Sequence, residues 1–165
     1  AFHPGAMNFS HQNDASKVGE IGLGIVSPDG RDGMLNHCRQ FHAAGIPFVF
    51  DPGQGMPLFS GAELLEMVEL ADYVTLNDYE AELLLARTEL SVEALASKVK
   101  CLVITRGEAG SRLYVDGQVI EIPVVSSVLH LVEARRGGRR VALAEGCPPG
   151  DAERGCGRPR RRRPD

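Results

Sequence analysis

Four short apolar runs constrain what this chain can fold into. They are "IGLGIV" at 21–26, "IPFVF" at 46–50, "YVTL" at 73–76 and "CLVIT" at 101–105. Runs this short suit buried strands rather than helices. The stretches between them change period. In 32–44, Met34, Leu35, Cys38 and Phe41 recur at helical spacing, and Gly45 stops the helix. Ser60 with Glu63 has the spacing of a capping box and opens "AELLEMVELA". Asn77 precedes a helix running to Arg87, and Ser91 caps "VEALASKV". After the fourth run, "SRLYVDGQVIEI" predicts a hairpin turning at Asp116-Gly117. The order is β-α-β-α-β-α-α-β, then a hairpin. Consecutive parallel strands need helical crossovers, so the expected class is α/β, with a mostly parallel sheet and helices on its faces. Ligands of such sheets bind beyond the carboxyl ends of the strands. That gathers the loops after Asp51, Leu76 and Thr105 on one edge.

The charge divides the chain. Residues 1–132 carry 8 Lys+Arg against 17 Asp+Glu, and residues 133–165 carry 10 Arg against 5 acids. Val141 and Leu143 are the only large aliphatics after Glu133. Such a segment buries too little surface to offset its ordering entropy, so 133–165 is expected to be a disordered Arg/Gly/Pro-rich tail behind a domain at 1–132. No apolar run approaches the ~20 residues of a membrane span, and no secretory leader is evident. Cys38, Cys101, Cys147 and Cys156 form no C-x-x-C pair. Cys38 and Cys101 fall in apolar-periodic segments, where buried free thiols are expected, and a reducing, cytoplasmic setting fits. The five histidines are scattered and suggest no metal site. The first residue is Ala rather than Met, as in a fragment or a processed product.

Three strand-end loops carry the polar residues of interest, and each has two readings. Asn77-x-x-Glu80 is a helix start, Asn being a preferred N-cap and the acid facing the helix dipole. Alternatively, Glu80 holds a water of a magnesium ion. "TRGEAG" is a turn between strands, or a phosphate cradle in which Thr105 offers a hydroxyl and Gly107 admits an anion to the backbone N–H groups. Asp51 bonds the turn at Pro52-Gly53, or faces a ligand. Arg106 adds charge to bound phosphates, or is a solvated side chain.

Together, N-x-x-E after one strand and T-x-G-x-x-G after a later one resemble the PfkB family of carbohydrate and nucleoside kinases, with its ribokinase-like fold. "HPGAM" resembles that family's G-A-[MN] segment. "AGIPFVFDPGQG", "YVTLNDYEAELL" and "VITRGEAGS" look like a bacterial adenosine-kinase-like branch. The resemblance covers residues 1–125. It implies a three-layer ribokinase-like domain and ATP-dependent phosphorylation of a sugar or nucleoside hydroxyl, with magnesium. It also implies that Glu80 organises the metal beside Asn77, and that Thr105, Arg106, Gly107 and Gly110 lie along the ATP phosphates.

The family's D-[TP]-x-G-[AC]-G-D segment, whose last Asp is the base, is expected soon after "EIPVV". The chain there reads "SSVLHLVEARRGGRR". Gly150-Asp151 lacks the preceding glycines and is not assigned as the base. The family's amino-terminal strands and lid are missing as well. The resemblance therefore implies a middle section, with weak ATP binding and little or no turnover. Its open sheet edge favours self-association. The tail resembles GC-rich coding DNA read out of frame. The alternative reading is a non-enzymatic protein whose "GRPRRRRPD" tail binds nucleic acid or another acidic partner.

Overall fold

The computed structural model describes His3 and residues 5–124. These belong to one compact unit, Ala1–Val124. The sequence expectations for the tail, including Cys147, Asp151, Cys156 and any nucleic-acid role, lie outside the described residues.

The expected order of elements is present. Strands are β1 (Gly24–Val26), β2 (Phe48–Phe50), β3 (Tyr73–Asn77), β4 (Cys101–Thr105), β5 (Ser111–Val115) and β6 (Gln118–Ile122). Helices are α1 (Arg31–Ala43), α2 (Gly61–Leu70), α3 (Asp78–Thr88) and α4 (Val92–Ala96). The local signals act as their chemistry dictates. Ser60 and Glu63 form a reciprocal capping box on α2. The Ser91 hydroxyl accepts the Ala94 N–H, opening α4. Gly45, at φ 66°, closes α1, with Ile46 N–H reaching back to the Phe41 carbonyl at 2.9 Å. Asp116 and Gly117 both take positive φ in the hairpin turn.

Two local expectations change. The first strand begins at Gly24 rather than Ile21. Its first ladder bond runs from Gly24 N–H to the Pro47 carbonyl, and Pro47 has no N–H with which to extend the pairing. The stretch after Asp51, read as an open loop, winds into a 3-10 helix at Gly53–Leu58. A further 3-10 helix, Gly5–Gln12, covers the "GAM" segment and packs on α1. Its Ser10 lies close to Gly33, where a Cβ would meet the Ser10 hydroxyl at 2.0 Å.

The sheet order is β1-β2-β3-β4-β5-β6, parallel through β4 and antiparallel beyond. Because the order never reverses, right-handed crossovers place every connecting helix on the same side. The register agrees. Val26, Phe50, Val74 and Leu102 share one face, and that face packs against Met34, Leu64, Met67, Leu84 and Leu95. Burying each such side chain stabilises the fold by ~1.5–3 kcal/mol. Helices on both faces were expected, whereas among the described residues they cover one.

At the amino ends of the strands, Asp72 ties β2 to β3. Its carboxylate accepts the Phe48 N–H at 3.1 Å and pairs with Lys100 at 2.8 Å. The Lys100 bond first, and the Phe48 N–H as well, hold the Asp72 carboxyl below its ordinary value of 3.8. A depressed folded-state pKa stabilises the fold above pH 3.8, and that stability is lost as pH falls through the lower folded value. Asp72→Ala is expected to cost about 1–3 kcal/mol at pH 7 by leaving the Phe48 N–H unpaired. Urea melts should show the mutant–parent gap closing in strong acid.

Candidate functional site

The carboxyl ends of β2, β3 and β4 bring the expected residues to one edge. Asn77 and Thr105 are register partners at the ends of adjacent parallel strands. Strand alternation puts both on the face opposite the helices, with Asp51 just past β2 on the same parity. The Thr105 hydroxyl donates to the Leu76 carbonyl at 3.4 Å.

The helix-start reading of Asn77 and Glu80 is realised in full. Asn77 Oδ1 accepts the Glu80 N–H at 2.8 Å, and Glu80 Oε2 accepts the Asn77 N–H at 2.9 Å. This box differs from the one at Ser60 in its surroundings. Burial raises the Asp51 carboxyl above its ordinary value of 3.8, and the negative charge of Glu80 raises it further. The Asp51 carboxyl, from a different loop, therefore lies within the field of the Glu80 charge, a repulsion that a divalent cation would relieve. A raised carboxyl pKa means that ionisation opposes folding above the unfolded value. Asp51→Asn is thus expected to raise the melting temperature at pH 7 without added metal, and thermal melts over a pH series check the sign.

The described residues contain no group of three or more His, Cys, Asp or Glu able to enclose a metal. That is compatible with magnesium, which keeps much of its water and takes one or two carboxylates plus phosphate oxygens. The donor set Asp51 and Glu80 fits such a hold and does not form a closed cage.

The loop after Thr105 is both a turn and a shaped cradle. A short 3-10 turn, Gly107–Ala109, joins β4 to β5, and the Arg106 N–H reaches the Gly110 carbonyl at 2.7 Å. The glycines differ. Gly107, at φ 53°, faces open space, so conformation alone selects glycine there. Gly110, at φ 82°, has the Ile122 carbonyl oxygen 2.0 Å from where a Cβ would sit. Sequence reasoning stressed Gly107, but the tightest contact falls on Gly110, because the β5–β6 hairpin closes back over it. Arg106 is not the solvated side chain of the simpler reading. Its guanidinium pairs with Glu121 and donates to the Ala109 carbonyl at 3.3 Å, and Glu121 also holds Arg112 at 2.6 Å. Arg106 Nε remains buried without a hydrogen-bond partner among the described residues.

Sequence reasoning missed a neighbouring hollow. An open cavity of about 460 Å³ is lined by Met7, Pro28, Asp29, Gln54, Gly55 and Leu58. It adjoins the Asp51 loop, since Gly53 lies against Pro28. The signal was available, because Ser27-Pro28-Asp29-Gly30 ends the first apolar run as the other loops end theirs. Away from the edge, Cys38 is a buried free thiol, pushed up to about 12 by burial, and so is chemically quiet. No helix among the described residues is long and apolar enough to cross a membrane.

Comparisons with known proteins agree with this fold. Residues 12–129 match the pfkB family carbohydrate kinase model. The chain is 32% identical over 78 residues to a nucleoside kinase of Methanocaldococcus jannaschii, covering 47% of this chain and 26% of that protein. It is 33% identical over 86 residues to a ribokinase of Bacillus subtilis, covering 52% of this chain and 27% of that protein. Among solved structures it resembles Burkholderia thailandensis nucleoside kinase in complex with inosine, with a TM-score of 0.74 and 50% identity over 76% of this chain and 41% of that one. The same enzyme is also known in complex with ADP-inosine. The chain thus spans less than half the length of each of these relatives. With its ribokinase-like sheet and the matched region running through every described strand, the chain belongs to the PfkB family of carbohydrate kinases.

Proposed function

We propose that this chain is the magnesium- and phosphate-binding section of an ATP-dependent nucleoside kinase, with a purine nucleoside of the adenosine or inosine type as acceptor. The observation that carries the reading is the pairing of Asn77 with Thr105 at the carboxyl ends of adjacent strands, with Asp51 following β2 on the same edge and Glu80 opening α3. Bound magnesium neutralises charge that develops between the phosphates during transfer. Glu80 would hold a water of the ion through the oxygen not engaged by Asn77, with Asp51 as a second carboxylate. Thr105 and the backbone of Gly107 and Gly110 would line the phosphates. The leftover Nε–H of Arg106 is a donor inside that loop. The cavity beside Asp51 falls within the ~300–1,000 Å³ usual for small-ligand sites, and Asp29 and Gln54 supply polar groups for a nucleoside.

Phosphoryl transfer also needs a base oriented on the acceptor hydroxyl. None is assigned among the described residues, so binding with little or no turnover is the expected behaviour. Glu80→Gln separates the cap from the charge, because glutamine still accepts the Asn77 N–H. Calorimetry should find magnesium-ATP binding weakened by about tenfold or more, with the melting temperature nearly unchanged. Absence of magnesium-ATP binding by the unmutated chain would overturn the proposal.

A further inference from the structure

Two arginines beside the phosphate loop share one carboxylate. Glu121 pairs with Arg106 through Oε2, and its Oε1 accepts the Arg112 Nε–H at 2.6 Å. Sheet register builds this cluster, because Ile104, Arg112 and Glu121 lie side by side on β4, β5 and β6. The hairpin brings Glu121 to the loop. Its neighbour Ile122 is the residue whose carbonyl leaves no room for a Cβ at Gly110. The Arg112 hydrogen bond first, and the Arg106 charge as well, hold the Glu121 carboxyl below its ordinary value of 4.5, so it is ionised at neutral pH. The cluster thus sets two positive charges against one negative. Arg106 has a second tie, from Nη2 to the Ala109 carbonyl at 3.3 Å, which keeps its guanidinium on the loop. Its buried Nε–H has no hydrogen-bond partner among the described residues.

We infer that Glu121 is an internal counter-ion for Arg106, displaced by a phosphate group when nucleotide binds, a role that rests on reading this loop as a phosphate cradle. A carboxylate and a phosphate offer the same pair of oxygens to a guanidinium fork, and arginine takes either. The phosphate carries more charge, so it balances the positive charge that one carboxylate leaves over. Little is lost in the exchange. The Glu121 side chain is 50% exposed, and an ion pair this open is weakly held because water screens it. Nor is Glu121 left alone. Its other oxygen stays with Arg112, which the Tyr114 hydroxyl also holds on β5 at 3.4 Å. Glu121 therefore tunes affinity for phosphate. It keeps Arg106 paired while the loop is empty, and breaking that pair is subtracted from each phosphate contact Arg106 makes.

Calorimetry of Glu121→Gln in the full chain tests it, with magnesium-ATP and, without metal, with inorganic tripolyphosphate. Glutamine can still accept the Arg112 Nε–H, so the hairpin should hold, and circular dichroism melts check this. Both ligands are expected to bind about two- to fivefold tighter, the worth of an exposed ion pair. Two further variants separate this from a general gain of positive charge. Glu108→Gln makes the same charge change within the loop at an exposed acid not paired with Arg106, and should gain less. In an Arg106→Ala chain, Glu121→Gln should add no more than Glu108→Gln does. Unchanged or weaker binding by Glu121→Gln, beside a parent that binds magnesium-ATP, overturns the counter-ion role alone. A gain that survives the loss of Arg106 overturns it too. A parent that binds neither ligand removes the reading of the loop as a cradle for magnesium-ATP. Tripolyphosphate binding that then emerges only in Glu121→Gln supports the counter-ion role, and its absence there removes that role as well.

Discussion

Gly110→Ala is expected to destabilise the domain by about 3 kcal/mol and to abolish magnesium-ATP binding with it. Two costs act together. The backbone at φ 82°, ψ −139° is one that only glycine adopts readily, and holding another residue in such a region costs about 1–3 kcal/mol. The new methyl would also sit 2.0 Å from the Ile122 oxygen and 3.1 Å from the Pro123 carbonyl carbon. These are backbone atoms, which cannot rotate away as a flexible side chain can. Relief must come from opening the hairpin over the loop, and overpacking of this kind typically costs a further ~1–3 kcal/mol. Gly107→Ala is the control. It meets nothing within 4 Å and carries only the cost of φ 53°, about 1 kcal/mol. Chemical denaturation of both variants, followed by calorimetry of whichever stays folded, checks the contrast. Equal losses would show that the Gly110 contact does not shape the loop.

Phe48→Ala is expected to cost about 3–5 kcal/mol, a large fraction of the ~5–15 kcal/mol that holds an ordinary domain folded. Phe48 is fully buried and starts β2. Its ring lies 5.7 Å from that of Phe41, tilted by 32°. The same ring contact is why β1 begins with glycine, because a Cβ at Gly24 would meet the Phe41 ring at 2.8 Å. Removing the Phe48 ring leaves a cavity between α1 and the sheet that backbone elements cannot readily fill. Phe48→Leu should recover most of the loss. A urea midpoint for Phe48→Ala within experimental error of the parent would contradict this account of the core.

Much of this architecture was legible because its signals are local. Period changes marked each strand and helix. Ser60, Asn77 and Ser91 announced their helices through chemistry that spans three residues. Asp116-Gly117 stated its turn outright. The boundaries that shifted depended on partners. β1 shortened because Pro47, distant in sequence, could not donate to it. The site was partly legible in the same way. Asn77, Glu80, Thr105 and Asp51 stand at strand ends, and parallel topology alone collects strand ends on one edge. Arg106 could not be placed from sequence, because its partner Glu121 lies beyond a whole strand and turn. Nor could the relative weight of Gly107 and Gly110 be judged, because Ile122 decides it.

By itself the sequence determined the alternation of strands and helices, the caps, and the loops that share the carboxyl edge, because each follows from contacts among near neighbours. Only the tertiary structure decided which glycine is sterically required, where the Arg106 charge goes and which carboxylate Glu80 perturbs. It also decided that, among the described residues, the helices gather on one side of the sheet. Those outcomes depend on strand order and register, which bring together residues that no local pattern relates.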